Sequence, residues 1–95
     1  MNKIEAKAIL VEEISKLRKL SYTDLSKRID KNETFEIVGK SGVKYQLEIQ
    51  YMWDSQNKPN NNLRVWVNID DGGWRAFIPM TECFIISPEG KFIGE

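Results

Sequence analysis

The chain changes its hydrophobic period once, and that change divides it. Over residues 3 to 20, Ala6, Leu10, Ile14 and Leu17 recur at three- and four-residue steps, with Ile9 and Leu20 widening the stripe. This spacing predicts an amphipathic helix. Ile4, Ala8 and Val11 form a second, narrower apolar strip on the same segment, expected to pack within the monomer, with a second copy of the chain as the alternative cover. Ser21-Tyr22-Thr23-Asp24 has the form of a capping box, so a second helix should start at about Tyr22. It should be short, because Leu25 and Ile29 are its apolar anchors and Asp30-Lys31-Asn32 gives the chain a polar exit.

From Thr34 the period is two. Phe35 and Ile37 open a strand, Gly39-Lys40-Ser41-Gly42 turns it, and Val43, Tyr45, Leu47, Ile49, Tyr51 and Trp53 alternate with Lys44, Gln46, Glu48, Gln50 and Met52. The Asn-rich stretch 54–62 reads as a polar loop, after which Leu63, Val65, Val67 and Ile69 alternate with Arg64, Trp66, Asn68 and Asp70. One register matches the faces: Trp53 opposite Leu63, Tyr51 opposite Val65, Ile49 opposite Val67 and Leu47 opposite Ile69. A slip of one residue would set apolar against polar throughout.

Asp71-Gly72 is the strongest short hairpin signal, and predicts a two-residue turn with Gly72 at positive φ. A strand over 74–78 would then return along its predecessor, with Asp70 opposite Gly73, Ile69 opposite Trp74, Val67 opposite Ala76 and Val65 opposite Ile78, before Pro79 ends it. Phe84-Ile85-Ile86, the turn Ser87-Pro88-Glu89-Gly90 and Phe92-Ile93 read as a small closing hairpin. The expected fold is α+β, a single domain over residues 1–95. Two N-terminal helices pack on one face of an antiparallel β-meander, with Leu47, Ile49, Val65, Val67 and Ala76 turned toward the first helix, and a small C-terminal hairpin follows.

Three stretches carry a resemblance: Gly42-Val43-Lys44-Tyr45-Gln46-Leu47-Glu48-Ile49-Gln50 with Trp53-Asp54, then Asp70-Asp71-Gly72-Gly73-Trp74-Arg75-Ala76-Phe77-Ile78-Pro79, and the ending from Ser87 to Glu95. Together they resemble a family of short, uncharacterised bacterial proteins, over most of the chain after the helices. The resemblance implies a bacterial source and carries no activity.

Composition narrows the chemistry. Fourteen Lys and Arg balance fourteen Asp and Glu, which removes the electrostatic footprint of a dedicated nucleic-acid binder. Residues 1–31 are mildly basic and residues 32–95 mildly acidic, a difference expected of solvated faces. Lys27, Arg28 and Lys31 suggest a helix-turn-helix, but the first helix is long and a third is missing. Without a histidine, Ser-His and Cys-His nucleophile pairs, histidine acid/base work and His-containing zinc sites are excluded. Ser41 to Lys44 and Ser55 to Lys58 match the S-x-x-K spacing, but neither lies on a predicted helix. Asp70-Asp71-Gly72-Gly73 suits a turn better than a hard cation, since the calcium-loop spacing is missing. No cofactor or metal is expected. Cys83, the single cysteine, sits beside Phe84, Ile85 and Ile86, which predicts a buried, inert thiol. The start of the chain lacks a secretory apolar region and no run approaches a membrane span, so a cytoplasmic setting is expected.

The register leaves one constellation. The sheet face opposite the helices should carry Met52 beside Arg64, then Gln50, Trp66 and Phe77 in one row, then Glu48, Asn68 and Arg75 in the next. An aromatic pair rimmed by Arg64, Arg75, Gln50 and Glu48 has the composition of a protein interface. The plainer expectation is that the C-terminal hairpin, with Phe92 and Ile93, covers this face as a second core. A non-catalytic module that binds another protein is the leading functional expectation, and a homodimer is compatible with it. Two alternatives remain. Single-stranded nucleic acid could stack on the aromatics, against the acidic sign of the sheet half. An enzyme could use Glu48 and Asp70 as paired carboxylates held in unlike environments.

Overall fold

The computed structural model describes residues 2–55, 60–73 and 79–95. Helix α1 (Lys3–Arg18) and the five-residue α2 (Tyr22–Ser26) precede four strands, β1 (Asn32–Val38), β2 (Lys44–Trp53), β3 (Leu63–Asp70) and β4 (Met80–Ile86). The strands form one antiparallel meander in the order β1-β2-β3-β4. No helix among the described residues is long and apolar enough to cross a membrane.

Each helix begins where a side chain satisfies an orphan N–H. Asn2 Oδ1 accepts from the Glu5 N–H at 3.1 Å, and Ser21 Oγ accepts from the Asp24 N–H at 3.0 Å, as the capping-box pattern requires. α1 stops two residues before the apolar stripe does, and Leu20 closes a turn by donating its N–H to Leu17 O at 3.1 Å.

The pairing of β2 with β3 has the register that matched faces demand: Trp53 with Leu63, Tyr51 with Val65, Ile49 with Val67 and Leu47 with Ile69. These residues, with Tyr45, lie on the inner face, where α1 supplies Ala6, Leu10 and Leu17 and α2 supplies Leu25. The helices do not spread evenly. α1 packs over β3 and β4, α2 against β3, and Phe35 and Ile37 of β1 are left half-buried. Ile4, Ala8 and Val11 therefore do not pack within the monomer as expected, because α1 turns that strip away from the strands it covers; Ile4 is 86% and Val11 49% exposed.

A second expectation fails at β3. Its far edge is taken by β4, which sets Met80 opposite Ile69, Glu82 opposite Val67, Phe84 opposite Val65 and Ile86 opposite Leu63. The predicted partner of that edge, residues 74–78, lies outside the described residues. β4 wins on fit, since it offers seven ladder positions with Phe84 and Ile86 entering the core. The turn signal is spent differently. Gly72 does hold φ +80°, but Asp70 Oδ1 accepts from the Gly72 N–H at 2.8 Å and Asp71 Oδ1 from the Gly73 N–H at 3.1 Å.

Beyond β4, the expected turn forms at Ser87 to Gly90, and Phe92 bridges back to Ile86. Phe92 meets Phe84 edge-on at 5.7 Å between centroids, and the Arg18 guanidinium lies 3.9 Å over the Phe92 ring while binding Glu95 through two nitrogens. The C-terminal hairpin thus closes the helix side of the sheet.

At the other end, Glu5 clasps the β1–β2 turn. Its carboxylate accepts from Ser41 N–H at 3.0 Å, Ser41 Oγ at 2.6 Å and Tyr45 OH at 2.8 Å. Gly39 makes room, because a Cβ there would stand 2.5 Å from Glu5 Oε1. The Ser41 hydroxyl, then Tyr45 and the Ser41 amide, hold the Glu5 carboxyl below its ordinary 4.5, and burial first, with Glu5 second, pushes Tyr45 up to about 12.

Two outcomes follow from this packing. Leu10→Ala should lose about 2–5 kcal/mol in chemical-denaturant unfolding, whereas Ile4→Ala should stay within about 0.5 kcal/mol of wild type. For the clasp, a lowered folded-state pKa means that its stabilisation is present above the ordinary carboxylate range and is lost as pH falls through the lowered value. Glu5→Gln should therefore flatten the acid limb of stability against pH. Gly39→Ala should mimic it, and the double variant should be no worse than either alone; additive losses would show that Gly39 does not act through Glu5.

Candidate functional site

The outer face of the sheet is built from alternate residues of all four strands. Its central row runs Asn32, Gln50, Trp66, Cys83, with Thr34, Glu48, Asn68, Thr81 on one side and Met52, Arg64, Ile85 on the other. Gln50, Glu48 and Arg64 thus stand around Trp66 as the register predicts. The ladder places expected for Arg75 and Phe77, beside Asn68 and Trp66, are held by Thr81 and Cys83 of β4; Arg75 and Phe77 themselves lie outside the described residues.

Trp66 is half-buried, yet its indole N–H is shielded from solvent and has no acceptor among the described residues. A buried donor without a partner costs about 1–3 kcal/mol. The Arg64 guanidinium lies 5.6 Å from the ring centroid and is anchored to Asp54 at 2.7 Å. On the other flank a polar chain crosses the sheet: Thr81 Oγ1 donates to Asn68 Oδ1 at 2.7 Å, while Asn68 Nδ2 at 3.4 Å and Gln50 Nε2 at 3.5 Å converge on Glu48 Oε1. The C-terminal hairpin does not supply the expected cover, since it packs Phe92 on the helix side.

Below this network a cleft of about 240 Å³ is lined by Thr34, Gln46, Leu47, Glu48, Asn68, Asp70 and Pro79. Glu48 and Asp70, the carboxylates of the enzyme alternative, both border it. Each accepts from amide N–H groups, Glu48 from Asn68 and Gln50 and Asp70 from Gly72, so their environments are alike rather than opposed. Among the described residues, no group of three acidic or cysteine side chains could hold a metal.

Elsewhere, Tyr51 OH donates to Glu33 and accepts from Arg28 at 3.1 Å. Burial, reinforced by the Glu33 hydrogen bond, pushes Tyr51 up to about 12, so the phenol stays protonated and ties the turn after α2 to β1. That arrangement is structural.

Cys83 is the residue that sequence reasoning missed. It is exposed and faces outward next to Trp66, against the expectation of a buried thiol. The signal was the alternation Met80, Glu82, Phe84, Ile86, which sends residue 83 to the opposite face; the apolar run 84–86 obscured it. No protein-family model, no curated protein and no solved structure matches the chain.

The geometry makes Cys83 a reporter. One equivalent of a maleimide should couple to it without denaturant, and a quencher attached there should lower Trp66 emission, assigned by difference from Trp66→Phe. Protection of the thiol in the native protein would contradict its placement.

Proposed function

We propose that this chain is a non-catalytic interaction module of the bacterial cytoplasm, which meets a protein partner through the outer sheet face centred on Trp66. The observation that carries the reading is the Trp66 indole, a large aromatic set between polar rows and the Met52-Arg64-Ile85 row, with its N–H shielded and unaccepted among the described residues. A partner packed on the exposed part of the ring would complete its burial. Trp and Arg together supply much of the binding energy in protein interfaces, and here Arg64 is already held beside the ring by Asp54. Both stand on a strand inside the sheet, so the surface is ordered before binding and little side-chain entropy is lost.

A photo-crosslinker attached to Cys83 tests this directly. In lysate of the source cell it should join one specific protein, and Trp66→Ala should abolish that product while leaving the unfolding midpoint nearly unchanged, since a central Trp often carries about 2 kcal/mol or more of binding. A loss of about 3–5 kcal/mol in stability with no specific product would identify Trp66 as an ordinary core residue covered by its own chain, and would refute the reading.

A further inference from the structure

The sheet's inner face is covered except along the β1 edge, where Phe35 and Ile37 stay half-buried. α1 lies over β3 and β4, and between α1 and the edge strand β1 runs a groove of about 580 Å³. Ile4, Ala8 and Ile9 form one wall and Ile37 and Val38 the other, with Glu12 and Lys40 on the rims. Ile4 is 86% exposed, and Val11 extends the helix strip one turn further at 49%. Large apolar side chains this exposed along one helix face, beside an open groove, mark an interaction surface. Beneath them β1 is a sheet edge, with Phe35 and Ile37 half-buried.

We propose that this groove is the interface of a symmetric homodimer, in which the Ile4-Ala8-Val11 strip of each α1 fills the groove beside β1 of the other copy. Three features favour a second copy over an unrelated helix. First, ridge and recess belong to the same patch, which is what a twofold contact requires: residue i meets j and j meets i. Second, the rims carry Glu12 and Lys40, of opposite sign, and neither has a hydrogen bond or ion pair among the described residues. The twofold axis sets each against the other's opposite, giving two equivalent ion pairs. Third, two cations on the remaining flank of α1 are committed within the chain, Lys7 to Glu82 and Arg18 to Glu95. Ala8, at the centre of the strip, lets the two backbones approach closely. The surface is separate from the Trp66 face, so the two contacts are independent.

Sedimentation velocity on the full chain, loaded from about 5 to 500 µM to bracket a small interface, reads the outcome. The mass should rise from 11.1 kDa toward twice that value. Ile4→Asp, at a position too exposed to affect folding, should weaken association at least tenfold. Glu12→Lys and Lys40→Glu should each weaken it, and the two together should restore it, since the exchange only inverts each pair. Trp66→Ala should leave it unchanged. A chain that stays monomeric throughout overturns the proposal. So does a dimer indifferent to Ile4→Asp, or one that the double charge exchange does not rescue.

Discussion

The pairing of β2 with β3 is the contact from which the remaining structure is hung. Tyr45, Leu47, Ile49 and Tyr51 on one strand and Leu63, Val65, Val67 and Ile69 on the other leave one dry face, and only one register keeps it dry. A sheet with a single apolar face must be covered on that face alone, which fixes where α1, α2 and Phe92 go. The two tyrosines extend this logic to the ends of β2. Each buries its ring and sends its hydroxyl to a glutamate, Tyr45 to Glu5 of α1 and Tyr51 to Glu33 of β1. One strand therefore holds both the helix layer and the neighbouring strand in position.

That central pair was legible because both strands alternate strictly and the match between them can be checked residue by residue. The β1–β2 turn, the capping Ser21 and the closing turn at Ser87 were legible for a similar reason, each being a local pattern with a local cause. The partner of β3 was not. Asp71-Gly72 is a valid turn signal, and Gly72 does take positive φ, but a turn preference of about 1 kcal/mol does not choose between strands when Met80–Ile86 offers a longer ladder and buries Phe84 and Ile86. The outer site was legible to the same extent: Glu48, Gln50, Arg64 and Trp66 assemble as read, while the places assigned to Arg75 and Phe77 go to Thr81 and Cys83. The exposure of Ile4 and Val11 was beyond reach, since periodicity identifies an apolar strip without saying which strands a helix will cover.

The two faces of the sheet differ in kind. The inner face is closed by apolar packing and by polar clasps at its margins, Glu5 at one end and the Arg18–Glu95 pair with its stacked Phe92 at the other. The outer face has polar rows tied laterally, Thr81 to Asn68 to Glu48, with one aromatic set among them. Lateral ties of this kind hold side chains in place, so the outer surface keeps its shape. Any ligand that meets it meets a surface carried by three strands at once.

The closure of α1 onto β4 spans most of the chain, with Lys7 and Glu82 separated by 75 positions. A ribosome adding about 5–20 residues per second needs roughly 4–15 s to travel that distance. For that interval the apolar stripe of α1 has emerged and the strands it will cover have not. The nascent segment then carries its apolar stripe uncovered among interspersed Lys and Glu, a composition that favours solubility until its sheet arrives.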